Sequence, residues 1–388
     1  MNKVKYGTVI LVILSAALHF LVLVSSHGAS HDIVAFSADA GSVLHHRNVY
    51  ALWPNVYPPL YPYPPVWLFI TALCRLLATW GNLTFVDVVR IPGCLGDLGI
   101  IPVLAIFGVR RYGSSLKSLL FPALYAFNPL PILISAGHGQ FDSLAILFVL
   151  LAILAFDGRP LLASLLLGIA ISLKGYPVLF LPYFAWHGIG DKRLRELVTA
   201  VAPTAVAFAG YTLWVGWSGK VISDVLAYHG VANFGWGVLF GPVGGSILIL
   251  VFEAGLIATV LWVSLRRSTW PPVAVAAIII LAFYALGFNL SVQYLMWVVP
   301  FLIVVSWRWS IFYSVGALVA AITFYTAYFA SALPFSRPSF LPGRATPGYE
   351  VIVLIPTIIA ILYLFGLFRS RVPGSGAAAS RNFGGTGS

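Results

Sequence analysis

The 388-residue chain is 60% hydrophobic and 9% charged, against about a quarter charged in soluble domains. That excludes a soluble globular enzyme, and the net charge of +11 falls in short basic clusters between apolar runs, a topology signal rather than a nucleic-acid footprint. The two cysteines, Cys74 and Cys94, form neither a disulfide framework nor a metal-ligand spacing.

In chain order, Lys3 and Lys5 precede an apolar stretch at 7–24. It is long for a signal peptide and lacks a clear small-residue cleavage site, so it reads as an uncleaved anchor. A long polar stretch follows at 27–65, holding Asp32, Asp39 and a Tyr/Pro run. Further apolar segments lie near 66–80, 88–108, 116–135, 142–156, 160–173, 175–187, 197–215, 244–265, 271–288, 292–306, 310–330 and 349–368. None shows the alternating pattern of an outer-membrane barrel. The fold class is therefore an all-α polytopic membrane protein, read as one membrane domain over 1–371. The Gly/Ala/Ser-rich tail at 372–388 reads as disordered.

Charge decides which segments cross. If 66–80 lies in the interface as a juxtamembrane helix, both ends are cytoplasmic. Only Arg47, Arg75, Arg90, Lys174, Lys220, Arg337 and Arg344 then face the other side. If it spans, nearly every later basic cluster flips outward, against the positive-inside rule. The first choice gives about twelve transmembrane helices and a first extracytoplasmic loop over 25–87. Between the basic flanks at 159 and 192, two halves of about 12 to 14 residues meet at SLKGYP, 172–177. Each half is roughly 18–21 Å of helix against about 30 Å of hydrocarbon. Lys174 should thus lie below the outer surface, in need of a cavity or an anionic partner. The turn in NPLPILISAGHGQFDSL, 128–144, puts His138, Gln140 and Asp142 on the rim of the same cavity.

These charges suit glycosyl transfer from a lipid phosphate. One carboxylate takes the acceptor's proton, cations neutralise the departing phosphate, and a phosphodiester needs no general acid. Several stretches also resemble a family: Asp32 after the first span, NVY at 48–50 and YPYPP at 61–65, RIPGCLGDL at 90–98, GHGQFDSLAI at 137–146, SLKGYPVLFLP at 172–182 and SVQYLMWVVPFL at 291–302. Over about residues 1–305 the chain looks like the GT-C superfamily of polyprenyl-phosphate-sugar-dependent glycosyltransferases. The likeness is nearest to the phosphatidylinositol-mannoside and GPI mannosyltransferase I type mannosyltransferases.

The resemblance implies an inverting transfer of a hexose, mannose first. The donor is a polyprenyl- or dolichyl-phosphate sugar, the acceptor a lipid-linked or glycan molecule, and the site faces away from the cytoplasm. No cofactor and no metal are expected, since no DxD-type cluster is present. Membrane lipids are partners, nucleic acid is not, and there is room for a small membrane subunit. Carried over, Asp32 is the base and Asp39, seven residues on, its competitor on one helix face. Arg90 and Asp97 match an R…D pair, as ligand site or structural ion pair. His138, Gln140 and Asp142 match an HxQFD motif, Gln293 and Tyr294 a late Q-Y pair, and His229 the donor-phosphate histidine of the later loops. Lys174 matches the basic residue between two short helices, binding phosphate or pairing with Asp97.

Plainer readings stand beside these. Asp32 also fits a helix cap, His138 and Asp142 a cap cluster for the next span, and the Tyr/Pro run a rigid interfacial chain. A transporter or lipid flippase would gather its ionisable groups near mid-bilayer on two repeats, but here they lie at helix ends apart from Glu253. A non-catalytic scaffold would keep the fold and lack the base.

Overall fold

The computed structural model describes residues 2–26, 28–51, 61–187, 193–221, 225, 234–240, 245–265, 270–328, 333–334 and 348–369. His229 and the tail at 372–388 lie outside them. The described residues are helical, apart from turns and a single antiparallel bridge between Phe234 and Leu290.

The numbered helices are α1 (Asn2–Ser25), α2 (His31–Leu44), α3 (Val66–Trp80), α4 (Phe85–Tyr112), α5 (Leu120–Ala126), α6 (Asp142–Ala155), α7 (Pro160–Leu173), α8 (Leu181–His187), α9 (Arg193–Val215), α10 (Gly245–Leu265), α11 (Pro272–Leu286), α12 (Val299–Tyr328) and α13 (Ile355–Arg369). Seven helical segments are long and apolar enough to cross a membrane: α1, α4, Leu116–His138, Leu194–Val215, Ile247–Leu265, α12 and Tyr349–Leu367. The helices α3, α6, α7 and α11 are apolar but shorter. The chain is an integral multi-pass membrane protein.

Two details differ from the segment boundaries read in the sequence. Residues Val292–Met296 form a 3-10 turn rather than the start of a span. The runs near 292–306 and 310–330 become one helical stretch, α12, broken at Ser306 (φ −155°, ψ 90°). The 66–80 segment is the expected short helix, and it packs on α2, where Arg75 donates to the Ser37 carbonyl at 2.8 Å and hydroxyl at 3.0 Å.

Local chemistry explains the elements that frame the site. Thr84 caps α4 by accepting from the Asp87 amide at 3.2 Å, while Arg110 and Arg111 end it, complementing the helix dipole. One face of α4 carries Gly93 and Gly96. A Cβ on Gly93 would sit 2.1 Å from the Gln140 carbonyl oxygen, and one on Gly96 2.6 Å from the Leu144 amide. Small residues thus let α4 touch the turn before α6, the usual basis of close helix contact in membranes. Before that turn the chain makes a wide π-type turn, Leu133–His138, a feature often found at functional sites. The helices α2 and α3 lie across these ends. Their apolar faces (Ile33, Phe36, Trp67, Leu68) form a core with Phe141, separate from the main core through α4, α6, α11 and α12.

Candidate active site

Asp32 stands in the first turn of α2, but it does not cap that helix. Ser30 does, accepting from the Ile33 amide at 3.3 Å and donating its hydroxyl to the His138 carbonyl at 2.9 Å. The Asp32 carboxylate is left for other partners. Its Oδ2 lies 3.2 Å from His138 Nε2 and accepts a hydrogen bond from Gln140 Nε2. His138 Nδ1 is 2.8 Å from the Tyr325 hydroxyl. With Nε2 donating to the carboxylate, the other ring nitrogen is left to face the Tyr325 hydroxyl. Oδ1 of Asp32 has no hydrogen-bond partner among the described residues, and the side chain is 31% exposed while that of His138 is 4% exposed. Burial alone would raise the Asp32 carboxyl. The hydrogen bond from His138, with the nearby charges of His138, His31 and Lys174, overrides it and holds the group below the usual carboxylate range.

Behind this mouth, Lys174 ends α7 in extended backbone and is buried. Its Nζ meets Asp142 Oδ2 at 2.5 Å. It also lies 4.7 Å from the Phe141 ring centre, 5.0 Å from that of Tyr63 and 5.9 Å from that of Tyr294. The second oxygen of Asp142 accepts from the Trp297 indole. Asp142 therefore serves the lysine and not the start of α6, whose N-terminus has no side-chain cap. The Asp142 side chain is fully buried, so an ammonium and a carboxylate have been taken out of water together, which is tolerable only as a pair. Gly139 makes the tight path between His138 and Gln140. It has φ +85°, and a Cβ there would lie 2.6 Å from Ile33, so both conformation and space demand glycine.

Other sequence-predicted residues fall elsewhere. Lys174 pairs with Asp142 rather than with Asp97. Arg90 and Asp97 share α4 but not each other. Arg90 is buried and donates to the carbonyls of Gly28 at 2.7 Å and Ser26 at 3.2 Å, so it ties the α1–α2 link to α4. Carbonyls at the end of α1 have no partners within the helix, and a guanidinium satisfies several at once. Asp97 takes His19 Nε2 at 3.1 Å and the Tyr125 hydroxyl at 2.7 Å. Arg90 and Asp97 are both buried and hold partners within the protein. Asp39 lies two turns along α2, away from the His138–Lys174 cluster. Burial raises its carboxyl to about 7. Gln293 is buried in the turn before α12, while its neighbour Tyr294 joins the rings around Lys174. His229 lies outside the described residues.

Residues that the sequence reading passed over complete the site: Tyr325, Trp297, Phe141 and Tyr63. Phe141, Tyr63 and Trp297 fall inside quoted motifs, and an aromatic beside a buried lysine is a usable signal. Nothing local points to Tyr325, which comes from α12. The Tyr/Pro run reaches the lysine through Tyr63 and is more than an interfacial spacer. Among the described residues no three His, Cys, Asp or Glu side chains gather as a metal would need.

Lys174, Tyr63, Tyr294 and Trp297 line one end of a cavity of about 420 Å³. It continues between α7, α9, α10 and α11 past Phe208, Phe252, Leu256, Phe283 and Glu253. A buried cation thus meets a mostly apolar cleft, with a partly open carboxylate nearby.

A partly open carboxylate, a caged ammonium and a mostly apolar cleft thus meet in one multi-pass helical membrane protein. Residues 61–286 match the model of glycosyltransferase family 87. This covers more than half of the chain, which therefore belongs to glycosyltransferase family 87 and is a glycosyltransferase. None of the curated proteins matches the sequence. Among solved structures, ArnT from Cupriavidus metallidurans bound to undecaprenyl phosphate is similar at 15% identity and a TM-score of 0.49, over 91% of this chain and 75% of that one.

Proposed function

We propose that this glycosyltransferase has the GT-C fold and moves a hexose, mannose first, from a polyprenyl- or dolichyl-phosphate donor to a hydroxyl of a lipid-linked or glycan acceptor, with inversion. The observation that carries the reading is the asymmetry of Asp32. Two donors fix Oδ2, and Oδ1 is left without a partner at the one partly open carboxylate of a buried charged cluster. Oδ1 takes the proton of the acceptor hydroxyl. The acceptor oxygen then bonds to the anomeric carbon, and the bond from that carbon to the phosphate oxygen breaks, releasing the lipid phosphate. Lys174 faces the phosphate, and the prenyl chain lies in the apolar cleft. The lysine supplies the positive charge, so the reaction as proposed uses no metal. Because the site is fixed before substrate arrives, the charge acts without reorganisation. The charge distribution of the sequence supports both termini in the cytoplasm and the site on the far side.

The test is transfer of labelled mannose from polyprenyl-phosphate mannose by purified protein. Asp32→Asn, which keeps the size and the contact to Gln140, should lose about 10²–10⁴-fold in rate while still binding donor. Full activity in Asp32→Asn, with loss in Asp39→Asn, would move the base to Asp39. A panel of other sugar phosphates decides the hexose, and transfer unchanged by a chelator supports the metal-free route.

A further inference from the structure

A second groove lies on the opposite side of α2 from the Asp32 cluster. It has a volume of about 600 Å³ and is walled by α2, by Arg75 of α3 and by Phe85 and Val86 at the start of α4. One end is basic, with His45, Arg47 and Arg75. The other is apolar, with Ile33, Val34, Phe85 and Val86. Gly41 and Ala38 keep its floor low, and Arg75 lies across Gly41, anchored on Ser37 by one nitrogen. Among the described residues neither Arg47 nor Arg75 has a carboxylate within ion-pair distance. The nearest acidic candidate on the α4 wall, Asp87, accepts from the Thr84 hydroxyl at its own helix cap.

The groove's wall at Phe85 and Val86 is the start of α4, a helix long and apolar enough to cross a membrane, and α3 turns Leu73, Leu77 and Trp80 outward at 51%, 46% and 75% exposure. A tryptophan and leucines on a short helix carrying one arginine make an interfacial surface. Unpaired guanidinium charge at one end and a hydrocarbon slot at the other match an amphiphile with a phosphate head, not a soluble anion or a peptide.

We propose that this groove holds one anionic phospholipid of the leaflet on which Asp32 opens. Its phosphodiester sits at Arg47, His45 and Arg75, and an acyl chain lies along Ile33, Val34, Phe85 and Val86. Since α2 carries Asp32 in its first turn and lines the groove along its length, the bound lipid braces the helix that presents the base. The site is separate from the cleft behind Lys174.

The experiment is native mass spectrometry of the full-length protein titrated with phosphatidylglycerol and with phosphatidylcholine of the same chains. The wild type should retain phosphatidylglycerol preferentially. Each arginine near an anionic lipid contributes about fivefold, so Arg47→Ala should weaken it by about that much. The double variant Arg47→Ala, Arg75→Gln should bring it to the phosphatidylcholine level. Glutamine at 75 keeps a donor for Ser37, and exposed Arg47, whose side chain makes no hydrogen bond, carries the test alone if the double variant does not fold. Asp32→Asn and Lys174→Gln should bind phosphatidylglycerol as the wild type does. Equal retention of the two lipids, unchanged selectivity in Arg47→Ala, loss only in Lys174→Gln, or displacement by excess inorganic phosphate would each overturn the proposal. The last would mark a free-anion site and the third would place the lipid in the cleft.

Discussion

Removing one member of the Lys174–Asp142 pair is the sharpest test of how the site is built. Asp142→Asn keeps the shape and the acceptor for Trp297 but leaves a 4% exposed ammonium without its counter-charge. Breaking a buried pair in this way costs about 3–5 kcal/mol. The rings of Phe141, Tyr63 and Tyr294 around the ammonium return about 1–2 kcal/mol of cation–π attraction. The net loss is therefore about 1–4 kcal/mol. Lys174→Met should cost a similar amount by stranding the carboxylate. The double variant Lys174→Met, Asp142→Asn removes both charges and should recover to within about 1 kcal/mol of the wild type, a coupling of about 4 kcal/mol. Unfolding of the four proteins in one detergent reads the cycle. Mannose transfer reads the chemistry: the double variant should be stable yet about a hundredfold slower or more, because the charge at the phosphate is gone. If Asp142→Asn unfolds with the wild type and the double variant is no better than the singles, the pair does not hold the site together. If the stable double variant transfers sugar at the wild-type rate, Lys174 does not act on the phosphate.

Three further outcomes follow from the same geometry. His138→Gln removes the hydrogen bond and charge that hold the Asp32 carboxyl low, so burial should prevail and the acid limb of kcat/KM should move to higher pH; an unmoved limb would detach His138 from the base. Asp39, raised from 3.8 to about 7 by burial, holds a proton in the folded chain that the unfolded chain has lost between those values. Stability should therefore fall as pH rises through that window, and Asp39→Asn should flatten the melting temperature between pH 5 and 8, whereas parallel curves would refute the assignment. Arg90→Met strands the carbonyls of Ser26 and Gly28 and should cost about 2–4 kcal/mol, seen as a lower melting temperature with donor binding intact in the fraction that stays folded. Loss of donor affinity without loss of stability would instead make Arg90 a ligand residue.

Much of this protein can be read in one dimension because a bilayer imposes one-dimensional rules. Hydrocarbon thickness sets segment length, which is why the helical membrane class and the short helix at 66–80 follow from apolar runs and charge alone. The two half-length segments around 174 foretell a buried lysine for the same reason. Which charge meets which lies beyond such rules. Asp32, His138, Tyr325, Lys174 and Trp297 come from five separate places in the chain, and only packing decides that Lys174 takes Asp142 and leaves Asp97 to His19. Seven-residue spacing put Arg90 and Asp97 on one face of α4, yet spacing cannot weigh a neighbouring carboxylate against unpaired carbonyls at the end of another helix. Asp32 and Asp39 also share a helix and a residue type. What separates them is a histidine and a glutamine brought in by the turn before α6, which the chain's own order places a hundred residues away.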